Sequence, residues 1–185
     1  MDVRSITKAE IDGFLTRQPP LPGSFLQSSY WLGLIECAHG QAVELLGLFE
    51  GRQLVGLASA ILARPRPGYT YAYLPRGPIL QSWSQLEPAI RSLKEYFKPK
   101  VFWLRVEPMV IGAVEPLPSL PSAEKNLLKF AGFNRVGEIQ PRATVIVDLA
   151  KSLPEILRLM HPKTRYNIKL AEHKFGLEFR WGRVE

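Results

Sequence analysis

At 185 residues, 46% of them hydrophobic and 22% charged, the chain can bury the core of one large or two small domains and has a soluble globular composition. Its longest apolar run, Leu54 to Ala63, falls short of the ~18–20 residues that span a bilayer, and Met1-Asp2-Val3-Arg4 lacks a signal-peptide core. The net charge of +7 points to phosphate-bearing partners rather than cationic ones.

Thr7-Lys8-Ala9-Glu10 has the form of a capping box and predicts a helix through Ile11, Phe14 and Leu15. Gln18 to Gly23, rich in proline, ends it. A second helix is predicted from Ser28 or Ser29 through Trp31, Leu32, Leu34 and Ile35, closed by Ala38-His39-Gly40. Cys37, the single cysteine, excludes an intrachain disulfide, fits a reducing cytoplasm and reads as a buried structural thiol. His39, His161 and His173 show no metal-ligand spacing.

Val43–Phe49 and Leu54–Ala63 read as two strands joined by a hairpin at Glu50-Gly51-Arg52-Gln53. Pro65 to Gly68 is a turn. Tyr69, Tyr71 and Tyr73 then alternate with smaller residues at strand period, as on a packed sheet face. Pro75-Arg76-Gly77-Pro78 breaks that strand, and Leu86, Ile90, Leu93 and Phe97 mark an amphipathic helix. Val101–Val106 reads as a short buried strand. A proline-rich loop over 108–121, a helix capped by Ser122, and a strand over Ala143–Leu149 follow. Ser152 starts a helix through Leu153, Ile156, Leu157 and Met160; Pro162 breaks it, and Leu177 opens a further strand.

Two helices, an antiparallel meander, then alternating helices and strands is the order of an N-acetyltransferase-like (GNAT) α/β fold, a mixed sheet flanked by helices, without a clear first strand. Fold alone does not fix chemistry. A GNAT enzyme cradles acetyl-CoA pyrophosphate on successive backbone N–H groups after its fourth strand. Here that place is Leu74-Pro75-Arg76-Gly77-Pro78, and two of its residues have no N–H to give. No nucleophile elbow, Walker loop or zinc motif occurs either.

The charge is uneven. Lys151 to Lys174 holds six cationic and two acidic side chains, a net +4. On a helical wheel Ile168, Ala171 and Phe175 form a packing face, while Arg165, Lys169 and Glu172 lie opposite it; Lys163, Asn167 and Lys174 form a separate strip. A solvated helix face is one reading of this stretch; a phosphate-binding face is the other.

Four segments in order favour the second reading: Phe25-Leu26-Gln27-Ser28-Ser29-Tyr30-Trp31, Tyr73-Leu74-Pro75-Arg76-Gly77-Pro78, Gln140 to Leu149, and Pro162-Lys163-Thr164-Arg165-Tyr166-Asn167-Ile168. Together they resemble the N-terminal half of the FemABX family of aminoacyltransferases. The resemblance implies two GNAT-like subdomains: 1–150 as the first, and 151–185 as a linking helix and the first strand of a second. The remainder, with the family's main acceptor and catalytic positions, would come from beyond this chain or from a partner chain.

The implied reaction moves an amino acid from aminoacyl-tRNA to the stem peptide of a peptidoglycan precursor, lipid II or UDP-MurNAc-peptide, in the cytoplasm, with no cofactor and with possible contact to a membrane surface. The implied substrate-binding residues are Lys163, Arg165, Tyr166, Lys169, Arg76 and Trp31; no catalytic residue is assigned. Where family members carry a lysine two residues after the tryptophan, this chain has Gly33. The alternative is a truncated, non-catalytic module that binds tRNA or precursor without turning them over.

Overall fold

The computed structural model describes residues 1–18, 24–110, 132–134, 136–137, 139–141 and 147–178. The chain divides into two compact units, Met1–Ala143 and Thr144–Glu185.

The first unit holds two sheets. One has the order β1 (Asp2–Ser5), β3 (Leu46–Glu50), β4 (Gln53–Leu57), β7 (Ile79–Leu80), β9 (Met109–Val110); the other runs β2 (Ala42–Glu44), β5 (Ala60–Arg66), β6 (Tyr69–Leu74), β8 (Trp103–Val106). Pairing is antiparallel except at β6–β8 and β7–β9, which are parallel. Helix α3 (Leu86–Phe97) lies on one side and buries Leu86, Ala89, Ile90, Leu93 and Phe97 against Leu46, Leu48, Ala72 and Leu74. Each large apolar side chain buried this way contributes about 1.5–3 kcal/mol. Helices α1 (Lys8–Thr16) and α2 (Ser29–His39) pack Ile11, Phe14, Leu32 and Ile35 into a second cluster with Leu57, Ile61 and Ile79. The expected class, a mixed α/β fold with helices flanking the strands, is what forms.

Local signals explain the helix ends. Thr7 and Glu10 make both bonds of the capping box. Ser28 caps α2, and Gly40 ends it with φ at 60°. The first strand missing from the sequence reading is β1, whose four mostly exposed residues pair with β3 and carry no alternation to find.

Each of the two long apolar runs is two strands rather than one. The first breaks at Leu45 and the second at Ala58-Ser59, so that each run passes from one sheet to the other. The cause is polar and buried. Gln27 inserts its amide between the strands, accepting from Ser59 N at 2.9 Å and donating to Ser59 O at 3.1 Å. Ser59 Oγ in turn accepts the Leu46 N–H at 3.2 Å. These bonds take the groups that a continuous ladder would have used.

Two burial expectations reverse. Cys37 is exposed, because it lies on the outer side of α2 beyond Ile35. The start of β8 is exposed too, with Phe102 and Trp103 on the surface.

In the second unit, α4 (Leu153–Leu159) starts from a capping box of Ser152 and Glu155, and α5 (Pro162–His173) starts from His161 with Pro162 in its first turn. Phe175 follows the end of α5 and is exposed, so it does not extend the packing face of Ile168 and Ala171. Val147–Leu149 are exposed and form no strand, and Leu177 and Glu178 form none. The helix expected after Ser122 and the strand residues at 143–146 and 179–181 lie outside the described residues. Among the described residues no helix is long and apolar enough to cross a membrane.

Candidate functional site

Arg76 stands in the turn between β6 and β7 with φ at 49°, in the left-handed region that non-glycine residues seldom occupy. The turn around it is held from three directions. Gln27 Nε2 donates to Pro75 O at 2.8 Å from below. The backbone returns beside it, with Glu107 N bonding Gly77 O and Met109 N bonding Pro78 O, both at 2.8 Å. The Arg76 guanidinium reaches across to Pro141 O at 2.5 Å. Gly77 follows from the first of these braces: a Cβ there would sit 2.8 Å from Gln27 Nε2.

Glu107, directly after β8, is the hub of this region. Its Oε2 accepts from the Tyr73 hydroxyl at 2.9 Å and, at the limit of a bond, from Arg76 N at 3.5 Å. Its Oε1 accepts from Ile139 N at 3.3 Å and Gln140 N at 3.5 Å, and Arg105 Nη2 stands 4.0 Å away. Gln140 Nε2 donates to the Tyr73 oxygen at 3.2 Å. Arg105 Nη2 also donates to Gly137 O, while its buried Nε has no partner among the described residues. Burial, chiefly, pushes the Tyr73 phenol well above its usual value; Gln140 opposes this and Glu107 adds to it. A carboxylate surrounded by donors in this way acts as a positioning anchor for the Arg76 turn and the backbone of Ile139 and Gln140.

Trp31, on the first turn of α2, is half-buried and packs edge-on against the exposed Phe25, centroids 5.6 Å apart. Two residues further, Gly33 leaves room, and Lys8 Nζ comes within 3.8 Å of where its Cβ would be. Ser29 Oγ donates to Asp12 Oδ2 at 2.6 Å and ties α2 to α1.

The second unit carries the remaining predicted residues on α5. Lys163, Tyr166 and Lys169 are exposed at i, i+3, i+6, each step turning about 60° around the axis, so the two lysines of the separate strips flank Tyr166 about 120° apart. Arg165 behaves differently. It is half-buried, and its Nη1 lies 2.6 Å from Met160 O, 3.2 Å from Arg158 O and 3.4 Å from Leu157 O. It thus neutralises the carbonyl end of α4, where a cation is favoured, and fixes the angle between α4 and α5.

Sequence reasoning singled out Arg76 and the basic helix and did not single out Gln27, Tyr73, Arg105 and Gln140 as the network around the Arg76 turn. Gln27 was one polar residue in an otherwise unpatterned segment, and Gln140 is distant in sequence from its partner Tyr73. Among the described residues no group of three His, Cys, Asp or Glu side chains could hold a metal.

No curated protein matches the sequence. Among solved structures, a crystal structure of FemX is similar, with a TM-score of 0.63 and 23% identity, covering 94% of this chain and 44% of that one. A putative acetyltransferase from Agrobacterium tumefaciens str. C58 aligns at a TM-score of 0.42 and 16% identity, over 76% of this chain and 100% of that one. This chain therefore spans less than half the length of the FemX structure, which it shares as a fold. The FemAB family model matches residues 6–185, a span that takes in the Arg76 turn, the Glu107 anchor and the basic helix, and the chain belongs to that family.

Proposed function

We propose that the chain works in a tRNA-dependent aminoacyltransferase that moves an amino acid from aminoacyl-tRNA to the stem peptide of a peptidoglycan precursor. The observation that carries this reading is the family match over residues 6–185. The exposed group of Lys163, Tyr166 and Lys169 supports it, since both the tRNA and a diphosphate-linked precursor present phosphate.

In the reaction, an amine of the precursor attacks the ester carbonyl of aminoacyl-tRNA. A nitrogen–carbon bond forms, the ester carbon–oxygen bond breaks, and the amine proton passes to the departing tRNA hydroxyl. This chain contributes binding and position. Lys163 and Lys169 meet phosphate as point charges, with Tyr166 between them offering a ring and a hydroxyl. Arg165 sets the presentation of α5 through α4. Arg76 offers a guanidinium from a turn whose shape Gln27 and Glu107 hold before any ligand arrives.

Salt dependence of tRNA binding tests the phosphate contacts. Replacing Lys163→Glu and Lys169→Glu together should lower affinity and flatten the log–log salt slope by roughly 2, about one unit per lost phosphate contact. Affinity and slope equal to those of the parent chain would remove α5 from the reading.

A further inference from the structure

One end of the four-stranded sheet gathers aromatic and cationic side chains to which the proposed transfer assigns no role. β5 ends there with Arg64 and Arg66, β6 begins there with Tyr69 and Tyr71, and β8, parallel to β6, begins there with Trp103. The Phe102 N–H bonds Thr70 O at 2.8 Å and completes the cluster. Phe102 is 79% exposed, Trp103 53% and Tyr69 39%. Tyr69 and Phe102 stand 5.3 Å apart, Tyr71 and Trp103 6.3 Å, and the Arg66 guanidinium lies 4.0 Å over the Tyr69 ring.

The two stretches that carry these rings hold charge of one sign. Residues 62–72 and 98–104 contain no Asp or Glu. Arg64, Arg66 and Lys98 are exposed; Lys100 is taken up by Glu44 at 3.1 Å. Exposed rings of this size mark a surface that meets something. Two partners suit rings mixed with cations: single-stranded nucleic acid and an anionic bilayer. Base stacking needs rings with open, aligned faces. Here the ring planes cross at 73° and 48°, and Arg66 covers a face of Tyr69. A bilayer interface makes no such demand. It takes up Trp, Tyr and Phe in any tilt at the headgroup level and holds Lys and Arg on phosphate.

We propose that this end of the sheet seats the protein on an anionic phospholipid surface, with Phe102 and Trp103 entering the headgroup layer and Arg64, Arg66 and Lys98 meeting lipid phosphate. The seating does not rest on the transferase reading, and each is tested by a separate assay.

The test is co-sedimentation of the full chain with vesicles of equal parts phosphatidylglycerol and phosphatidylcholine, against phosphatidylcholine alone, over a range of salt. The chain should pellet with the anionic vesicles at low salt, release as salt rises, and ignore the neutral ones. Phe102→Ser/Trp103→Ser and Arg64→Glu/Arg66→Glu should each lower the partition coefficient roughly tenfold or more. Circular dichroism checks folding; should the aromatic variant misfold, the arginine variant decides, since both its positions are exposed. Three outcomes would overturn the proposal: no binding of the parent chain to anionic vesicles; binding that survives these variants but vanishes in Lys163→Glu/Lys169→Glu; or variants that lose a single-stranded RNA oligonucleotide while still pelleting with vesicles.

Discussion

Tyr73 donates its hydroxyl proton to Glu107 across 2.9 Å and thereby joins the inner end of β6 to the residue that follows β8. Gln140 donates to the same hydroxyl oxygen, and the Arg76 turn and the 139–140 backbone converge on the same carboxylate. The region is thus arranged around one neutral phenol and one carboxylate.

That arrangement makes stability depend on alkaline pH. Burial raises the Tyr73 pKa above its free value of 10.0. The unfolded chain therefore ionises this phenol first, so the stabilisation is complete below about pH 10 and is lost as pH climbs beyond it. Between pH of about 9 and about 12, the parent chain should lose more unfolding free energy than Tyr73→Phe, measured by urea denaturation. Equal losses would mean that Tyr73 titrates like a free phenol.

Gln27 and Gly77 are coupled through the space they share. Gln27→Ala leaves Ser59 and Pro75 with unpaired buried groups and should cost about 2–3 kcal/mol. Gly77→Ala drives a methyl into the pinned Gln27 amide and should cost about 1–3 kcal/mol alone. In the Gln27→Ala background that second cost should largely vanish, because the obstructing amide is gone. Additive losses in chemical denaturation would show that Gly77 is required for another reason.

The same pair shows what the sequence made legible. Elements with a local cause were readable: the Thr7 capping box, the apolar stripe of α3, the tyrosine alternation of β6 and the proline break before α5. Features created by distant partners were not. Nothing near Leu45 or Ser59 announces a strand break, because the break depends on Gln27, 32 residues before Ser59 in sequence. Phe102 and Trp103 likewise read as core, since an apolar strand start looks the same whether it faces packing or water.

Arg165 separates two roles that its sequence neighbours share. Its bonds to the α4 carbonyls predict that Arg165→Ala lowers unfolding stability by about 1–2 kcal/mol. It should weaken tRNA binding less than Lys163→Glu/Lys169→Glu does. Loss of tRNA binding with an unchanged urea midpoint would instead make Arg165 a direct ligand contact.

Transfer itself is the most direct measurement. The chain, supplied with the second subdomain that the family resemblance implies, is incubated with tRNA charged with a radiolabelled amino acid and with lipid II or UDP-MurNAc-peptide, and the label is followed. Label should pass to the precursor with the parent chain and fall at least tenfold with Lys163→Glu/Lys169→Glu, a loss of about 1.4 kcal/mol or more in transition-state stabilisation. Label that stays on the tRNA while both substrates bind would contradict the transferase account and leave a non-catalytic binding module in its place.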